Sequence, residues 1–292
     1  MKRYLTKFAY DGTRFEAFVA QKDKHTVEGT ILKRLRSSKI IQSPEKNNYK
    51  SASRTDKGVS ALGNVIAFDS NMAMQDIMDA MSGMDGIWIW GIANVKPDFN
   101  PVRAKNRWYR YYLPSSDSAK TASEIERLGS VFIGTHNFLG YSTLRDQNRS
   151  ICTIFNFKAT PHDGFVVIDI IGESYLYNQI RRMIGSILDV IAGKREEVYL
   201  KELLKGRSDE VKGIATRKLI DPDGLVLMDV SHRGVKVIPW KSSIIRCIAD
   251  IDVKGKGQYA NIAGKDTIAD IFCDIFDKES LELKPEMRVF NR

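Results

Sequence analysis

Sulfur and imidazole are scarce in this chain. Three cysteines, Cys152, Cys247 and Cys273, are spread over 292 residues without a CxxC pair. That spacing suits reduced, buried thiols rather than a disulfide framework or a zinc site. The four histidines, His25, His136, His162 and His232, are equally scattered, so nothing has metal-ligand spacing. No apolar run nears the roughly 20 residues needed to cross a bilayer. The opening stretch, Met1-Lys2-Arg3-Tyr4-Leu5-Thr6-Lys7, lacks the apolar core of a signal peptide. These absences lead to the expectation of a cytoplasmic protein with no membrane association.

What is present is ordinary globular material with a basic bias. Hydrophobic residues make up 43% and charged residues 28%, enough for two buried cores in a chain of this length. Lysine and arginine number 45 against 36 aspartates and glutamates, a net charge of +9. Such an excess favours a polyanionic partner, because cations that neutralise phosphates release condensed counterions.

Periodicity predicts strand, helix, strand, helix, strand over the first hundred residues. Lys2 to Tyr10 alternates and reads as a half-buried strand. Asp11-Gly12-Thr13 is a turn, and Val27, Ile31, Leu32 and Leu35 mark a helix capped by Thr26. Ser43 to Lys50 reads as loop. A strand over Asn64 to Asp69, a helix over Ala73 to Met81 and a strand over Ile87 to Val95 follow. The second half opens with a strand, Trp108 to Leu113. A helix over Ala122 to Phe132, an irregular stretch Thr135 to Gln147, and a hairpin of Asn156 to Thr160 with Phe165 to Ile171 come next. Leu176 to Ala192 is the clearest helix. Glu196 to Leu204 is a shorter one ending at Gly206, and another is expected over Thr267 to Phe276 beyond the Lys254-Gly255-Lys256-Gly257 break. The expected class is α+β, with two similar mixed subdomains, mostly antiparallel sheets flanked by helices, and a cleft between them. The expected divisions are residues 1–103, residues 104–230, and an extension over 231–292 with no assigned role.

Three clusters could carry chemistry, and each has a plain alternative. Arg54-Thr55-Asp56-Lys57-Gly58 puts one carboxylate among cations that favour its ionised form, on a turn that Gly58 makes possible. From these residues alone it is equally a charged surface turn before a strand. From Arg103 to Tyr112, Arg103, Lys105, Arg107 and Arg110 interleave with Trp108, Tyr109, Tyr111 and Tyr112. Guanidinium groups and aromatic planes of that kind suit phosphates and unstacked bases; they equally suit a core strand with arginines at its edges. On the Leu176 to Ala192 helix, Arg181 lies at the margin of the apolar face and Arg182 points nearly opposite, toward solvent. Arg181 can reach inward to a carboxylate or remain a solvated flank.

Arg54-Thr55-Asp56-x-Gly58-Val59 resembles the nucleophile motif of the tRNA pseudouridine synthase A family. Asp98-Phe99-x-Pro101-x-Arg103-Ala104 with Arg107-x-Tyr109-Arg110-Tyr111 resembles its second motif. Tyr175-(x)4-Ile180-Arg181-(x)3-Gly185 resembles its third, and Gly224-Leu225-Val226-Leu227 its final strand. Tyr10-Asp11-Gly12 and Thr26-Val27-Glu28-Gly29 match its opening. Departures stand at Ser53, usually glycine; Ser60, commonly histidine; Phe18, commonly tryptophan; and Tyr177-Asn178, often a His-His pair.

The resemblance implies isomerisation of uridine to pseudouridine in tRNA, without a cofactor or metal. It implies Asp56 as the carboxylate acting at the sugar, Arg181 as its ion-pair partner, and Tyr109 as the group stacking on the base. Arg54 would fill the gap left by the flipped nucleotide. Lys57, Arg107 and Arg110 would meet the RNA, and Leu225 would wall the uracil pocket. The resemblance further implies a homodimer, and the anticodon stem-loop at about positions 38 to 40 as the target. A family relative acting at other positions, or a non-catalytic tRNA-binding protein on the same scaffold, are the alternatives. A small-molecule glycoside-cleaving enzyme would need a second carboxylate at set spacing, and no comparable motif supplies one.

Overall fold

The structure is a computed structural model and describes residues 1–143, 150–162, 164–205 and 218–240. The chain divides into two compact units, one of Met1–Lys105 with Val226 onward and one of Asn106–Leu225. The sequence reading places these divisions at 103/104 and 230/231. The second of them differs by a few residues because the strand over Leu225–Ser231 pairs back into the first unit.

In the first unit, β1 (Lys2–Tyr10) lies between β3 (Ser60–Ser70) and β4 (Ile87–Val95), antiparallel to both. The far edge of β3 is shared by two short partners. β2 (Lys50–Ser51) pairs antiparallel with Ala67 and Ile66, and β9 (Leu225–Ser231) runs parallel beside Ser60 and Ala61. β10 (Ile238–Pro239) closes the other side against β4. Among the described residues, the two α-helices of this unit are α1 (Val27–Ser37), whose Thr26 cap accepts from the Gly29 amide, and α2 (Met74–Ala80). Their buried residues are Val27, Ile31 and Leu35, and Ile77 and Met78.

β1 is not half-buried, as alternation predicts. Every residue after Lys2 is buried, including Arg3 and Lys7. Both cations are tolerated because each meets a carboxylate: Arg3 bonds Asp69 at 2.7 Å, and Lys7 pairs with Asp229. A pattern rule that counts charged residues as solvent-facing misreads such a strand.

In the second unit, β5 (Asn106–Pro114), β8 (Phe165–Gly172), β7 (Ile151–His162) and β6 (Gly134–Asn137) form an antiparallel sheet in that order. β6 falls where the sequence predicts irregular chain; it is a short edge strand too polar to show alternation. Helix α3 (Ser118–Gly129) packs on β7, where Gly129 is so close to the Phe157 ring that a Cβ would lie 2.0 Å from it. Helix α4 (Gln179–Ile191) buries Ile180, Met183, Ile184 and Ile187, and α5 (Val198–Leu203) buries Tyr199, Leu200 and Leu203. α4 begins three residues later than predicted because Asn178 sits at φ 62°, a left-handed conformation that cannot propagate a helix. Arg182 is half-buried rather than fully solvated. Burial first, then the neighbouring Arg181 charge, lowers its pKa from the usual value. Gly206 and the Lys254–Gly257 and Thr267–Phe276 stretches lie outside the described residues.

Candidate active site

The residues singled out from the sequence occupy two places, one in each unit. In the first, Asp56 rides on the turn joining β2 to β3. β2 and β3 keep pairing up to this turn, through the Ala52 amide on Val65 O and the Asn64 Nδ2 amide on Ser53 O. Gly58 takes φ 86°, and the Val59 amide closes the turn by donating to Asp56 O at 3.2 Å. Asp56 is half-buried while Arg54 and Lys57 are exposed. The carboxylate therefore sits where a ligand can reach it, with one cation on either side in the chain.

Beside this turn is a shallow surface depression walled by Tyr10, Phe15, Phe18, Thr55 and Asp56. Its aromatic wall is packed: Tyr10 lies 5.8 Å from Phe8 and 5.9 Å from Phe18, ring centre to ring centre. The connector after β1 binds the turn directly. The Tyr10 and Thr55 hydroxyls share a hydrogen bond of 2.7 Å, and the Gly12 amide donates to Ser60 Oγ at 2.9 Å.

In the second unit, strand alternation divides the basic and aromatic residues of β5 between two faces, each carrying both kinds. Arg110 and Trp108 face one way and converge on Asp169. Arg110 bonds it through two nitrogens at 2.9 and 3.1 Å, and the Trp108 indole donates to it at 2.6 Å. Burial disfavours the Arg110 charge, but the Asp169 carboxylate outweighs this and holds the guanidinium above its ordinary pKa. Arg110 was expected among the RNA-binding residues; here it is engaged with Asp169.

Tyr109 and Arg107 lie on the other face. Tyr109 is buried and meets Tyr175 edge to face, with centroids 5.2 Å apart and planes at 82°. Tyr175 is fixed in turn, its hydroxyl donating to Ile170 O at 3.1 Å with Arg107 O 3.4 Å away. Burial, with the neighbouring Tyr109 hydroxyl, raises the Tyr175 pKa well above the normal tyrosine value. Arg107 is buried, donates to Glu173 O, and is lowered in pKa chiefly by burial.

Arg181, in the first turn of α4, is buried at 8% exposure, so the margin position read from periodicity turns inward. Its Nε donates to Ile220 O at 2.7 Å, and its Nη1 approaches Asn178 Oδ1 at 3.4 Å. Tyr111, on the same face of β5 as Tyr109, donates to Asp221 O at 3.2 Å. Its pKa is pushed up to about 12 by burial first and the Asp221 charge second, with Arg181 pulling the other way. The 220–224 segment is thus tied to both α4 and β5, and it leads into Leu225, itself buried.

Sequence reasoning missed Tyr10 and Asp169 as supporting residues, and Tyr175 as the neighbour that orients Tyr109. Two of them had a signal, Tyr10 as the first residue of Tyr10-Asp11-Gly12 and Tyr175 as the first residue of the third motif.

Comparison with known proteins bears on these residues. Residues 130–232 match the sequence profile of the family described as tRNA pseudouridine synthase. A protein named tRNA pseudouridine synthase A from Pyrococcus furiosus is 37% identical over 238 residues, covering 80% of this chain and 85% of that protein. One of the same name from Methanobrevibacter smithii is 36% identical over 277 residues, covering 87% of this chain and 94% of that protein. A third, from Pyrococcus abyssi, is 35% identical over 240 residues, covering 80% and 86%.

Proposed function

Because the chain belongs to the tRNA pseudouridine synthase A family, we propose that it isomerises uridine to pseudouridine in tRNA, with Asp56 as the essential carboxylate. The observation that carries this reading is the 37% identity spanning 85% of the Pyrococcus furiosus protein. An exposed turn presenting a half-buried aspartate between two exposed cations supports the choice of Asp56.

In the reaction the bond from N1 of uracil to C1′ of ribose breaks, the freed base turns, and C5 bonds to C1′. C5 loses a proton and N1 gains one, so the product is an isomer and no electrons enter or leave. The sugar carbon becomes electron-poor at the point of cleavage. A carboxylate beside it can add to C1′ or remove a neighbouring proton, and both routes use the same ionised Asp56. The reading gives Arg181 the task of keeping that carboxylate charged and aligned. Tyr109 stacks on the extruded base and accepts the C5 proton, directly or through water. Arg54 enters the gap in the RNA stack, whose opening costs a few kcal/mol. Lys57, exposed on the turn, contacts the RNA, and Leu225 lines the uracil pocket. The protein works in the cytoplasm as a homodimer on the anticodon stem-loop, at about positions 38 to 40.

Asp56→Asn tests the reading. Retained tRNA binding with loss of pseudouridine is the expected result; unchanged pseudouridine would remove Asp56 from the mechanism. Sequencing chemically labelled tRNA before and after enzyme treatment reads the target uridines. A second reading, action at other tRNA positions, is favoured by the departures at Ser60 and Tyr177-Asn178, and the same sequencing distinguishes it.

A further inference from the structure

Two hydroxyl groups tie the turn carrying Asp56 and the start of β3 to the chain at the end of β1. β3 starts at Ser60, and β2 stops at Ser51. One attachment is the 2.7 Å hydrogen bond between the Tyr10 and Thr55 hydroxyls; the other is the Gly12 amide on Ser60 Oγ. Both come from the same connector at the end of β1. The register of β1 on β3 shifts between Phe8 and Tyr10, where this attachment begins. The Tyr10 ring itself is 2% exposed and locked between Phe8 and Phe18. Gly12 lies so close to the end of the turn that a Cβ on it would stand 2.2 Å from Val59 O. A rigid ring with one polar tip is well suited to fixing a neighbouring loop, because little side-chain freedom remains to be lost.

We propose that Tyr10 is a positioning residue for Asp56: its hydroxyl, through Thr55, sets the orientation in which the adjacent carboxylate meets the substrate. The inference rests on Asp56 being the catalytic carboxylate, and acts on the chemical step rather than on RNA affinity. A carboxylate displaced by even a fraction of an ångström loses reaction rate while the RNA, gripped elsewhere, still binds.

The experiment compares Tyr10→Phe, Thr55→Val, the double variant and Asp56→Asn under single-turnover conditions with one tRNA. Tyr10→Phe keeps the ring and its packing and removes only the hydroxyl. The expected result is a fall of about tenfold in the single-turnover rate constant at unchanged tRNA affinity, with the midpoint of thermal unfolding lowered by no more than about 2–4 °C. Thr55→Val should show the same fall, the double variant no further loss, and Thr55→Ser, which keeps a hydroxyl, should recover the rate. If Asp56→Asn is inactive while Tyr10→Phe turns over at the wild-type rate, the inference is wrong and the reading of Asp56 stands. If losses in Tyr10→Phe and Thr55→Val multiply in the double variant, or track lost stability, the hydroxyls act separately and the inference is equally wrong. Activity in Asp56→Asn would instead overturn the reading beneath it.

Discussion

Lys7 on β1 and Asp229 on β9, 222 positions apart in the chain, form an ion pair inside the first unit. Both are under a tenth exposed, and the Lys7 ammonium also lies 5.6 Å from the centre of the Trp90 ring. Gly63 makes the pairing possible. It lies on β3 against Asp229, and a Cβ there would stand 2.5 Å from Asp229 Oδ1 and 2.7 Å from Met228 O.

Removing one member of this pair leaves the other charge stranded in the interior. Asp229→Ala is expected to lower the unfolding free energy by about 3–5 kcal/mol, measured by urea denaturation. Lys7→Met combined with Asp229→Leu should cost far less, since two apolar groups fill the space with no uncompensated charge. Gly63→Ala should destabilise by about 1–3 kcal/mol through the contact with β9.

Asp169 satisfies two neighbours together, the Arg110 fork and the Trp108 indole. Asp169→Ala is expected to cost about 2 kcal/mol in stability, and Asp169→Asn less, because one acceptor oxygen remains. Equal losses for the two variants in denaturant titrations would show that the charge, not the hydrogen bonding, is what Arg110 and Trp108 require.

The alkaline limb of the stability curve has a defined sign. Tyr111 is raised from its ordinary 10.0 to about 12 in the fold, so between those values the unfolded chain releases a proton that the native one keeps. Below pH 10 the contribution is fully present; from there to about pH 12 stability falls as pH rises. Tyr111→Phe should flatten this slope in urea titrations run across that window. A slope identical to wild type would assign it to other buried phenols such as Tyr175 or Tyr49, both also raised by burial.

Arg181 uses its Nε on Ile220 O and an Nη on Asn178, a geometry that a lysine cannot reproduce. Arg181→Lys is therefore expected to lower the rate of pseudouridine formation by about tenfold or more at unaltered tRNA affinity. Rates and binding isotherms on the same tRNA check it; a loss confined to binding would make Arg181 an RNA contact instead.

The legible elements share a property: their signals are local. The strand Ile87–Val95 and the helix after Thr26 stand where the residues predict them, because alternation, helical spacing and a capping hydroxyl operate within a few positions. Asp56, Tyr109 and Arg181 were visible in short motifs for the same reason. β6 and the burial of Arg3 and Lys7 were not, since an edge strand and a buried cation depend on partners far along the chain.

The sequence by itself determined the residue types available for chemistry, the order of the longer strands and helices, and the motifs that carry the family. Tertiary structure alone decided that Lys7 meets Asp229, that Arg110 turns to Asp169 while Tyr109 turns to Tyr175, and that Tyr10 reaches Thr55. The reason is physical. Local preference is written in dihedral angles and side-chain spacing, whereas a buried charge or hydroxyl is tolerated only where the folded chain brings a partner within hydrogen-bonding distance.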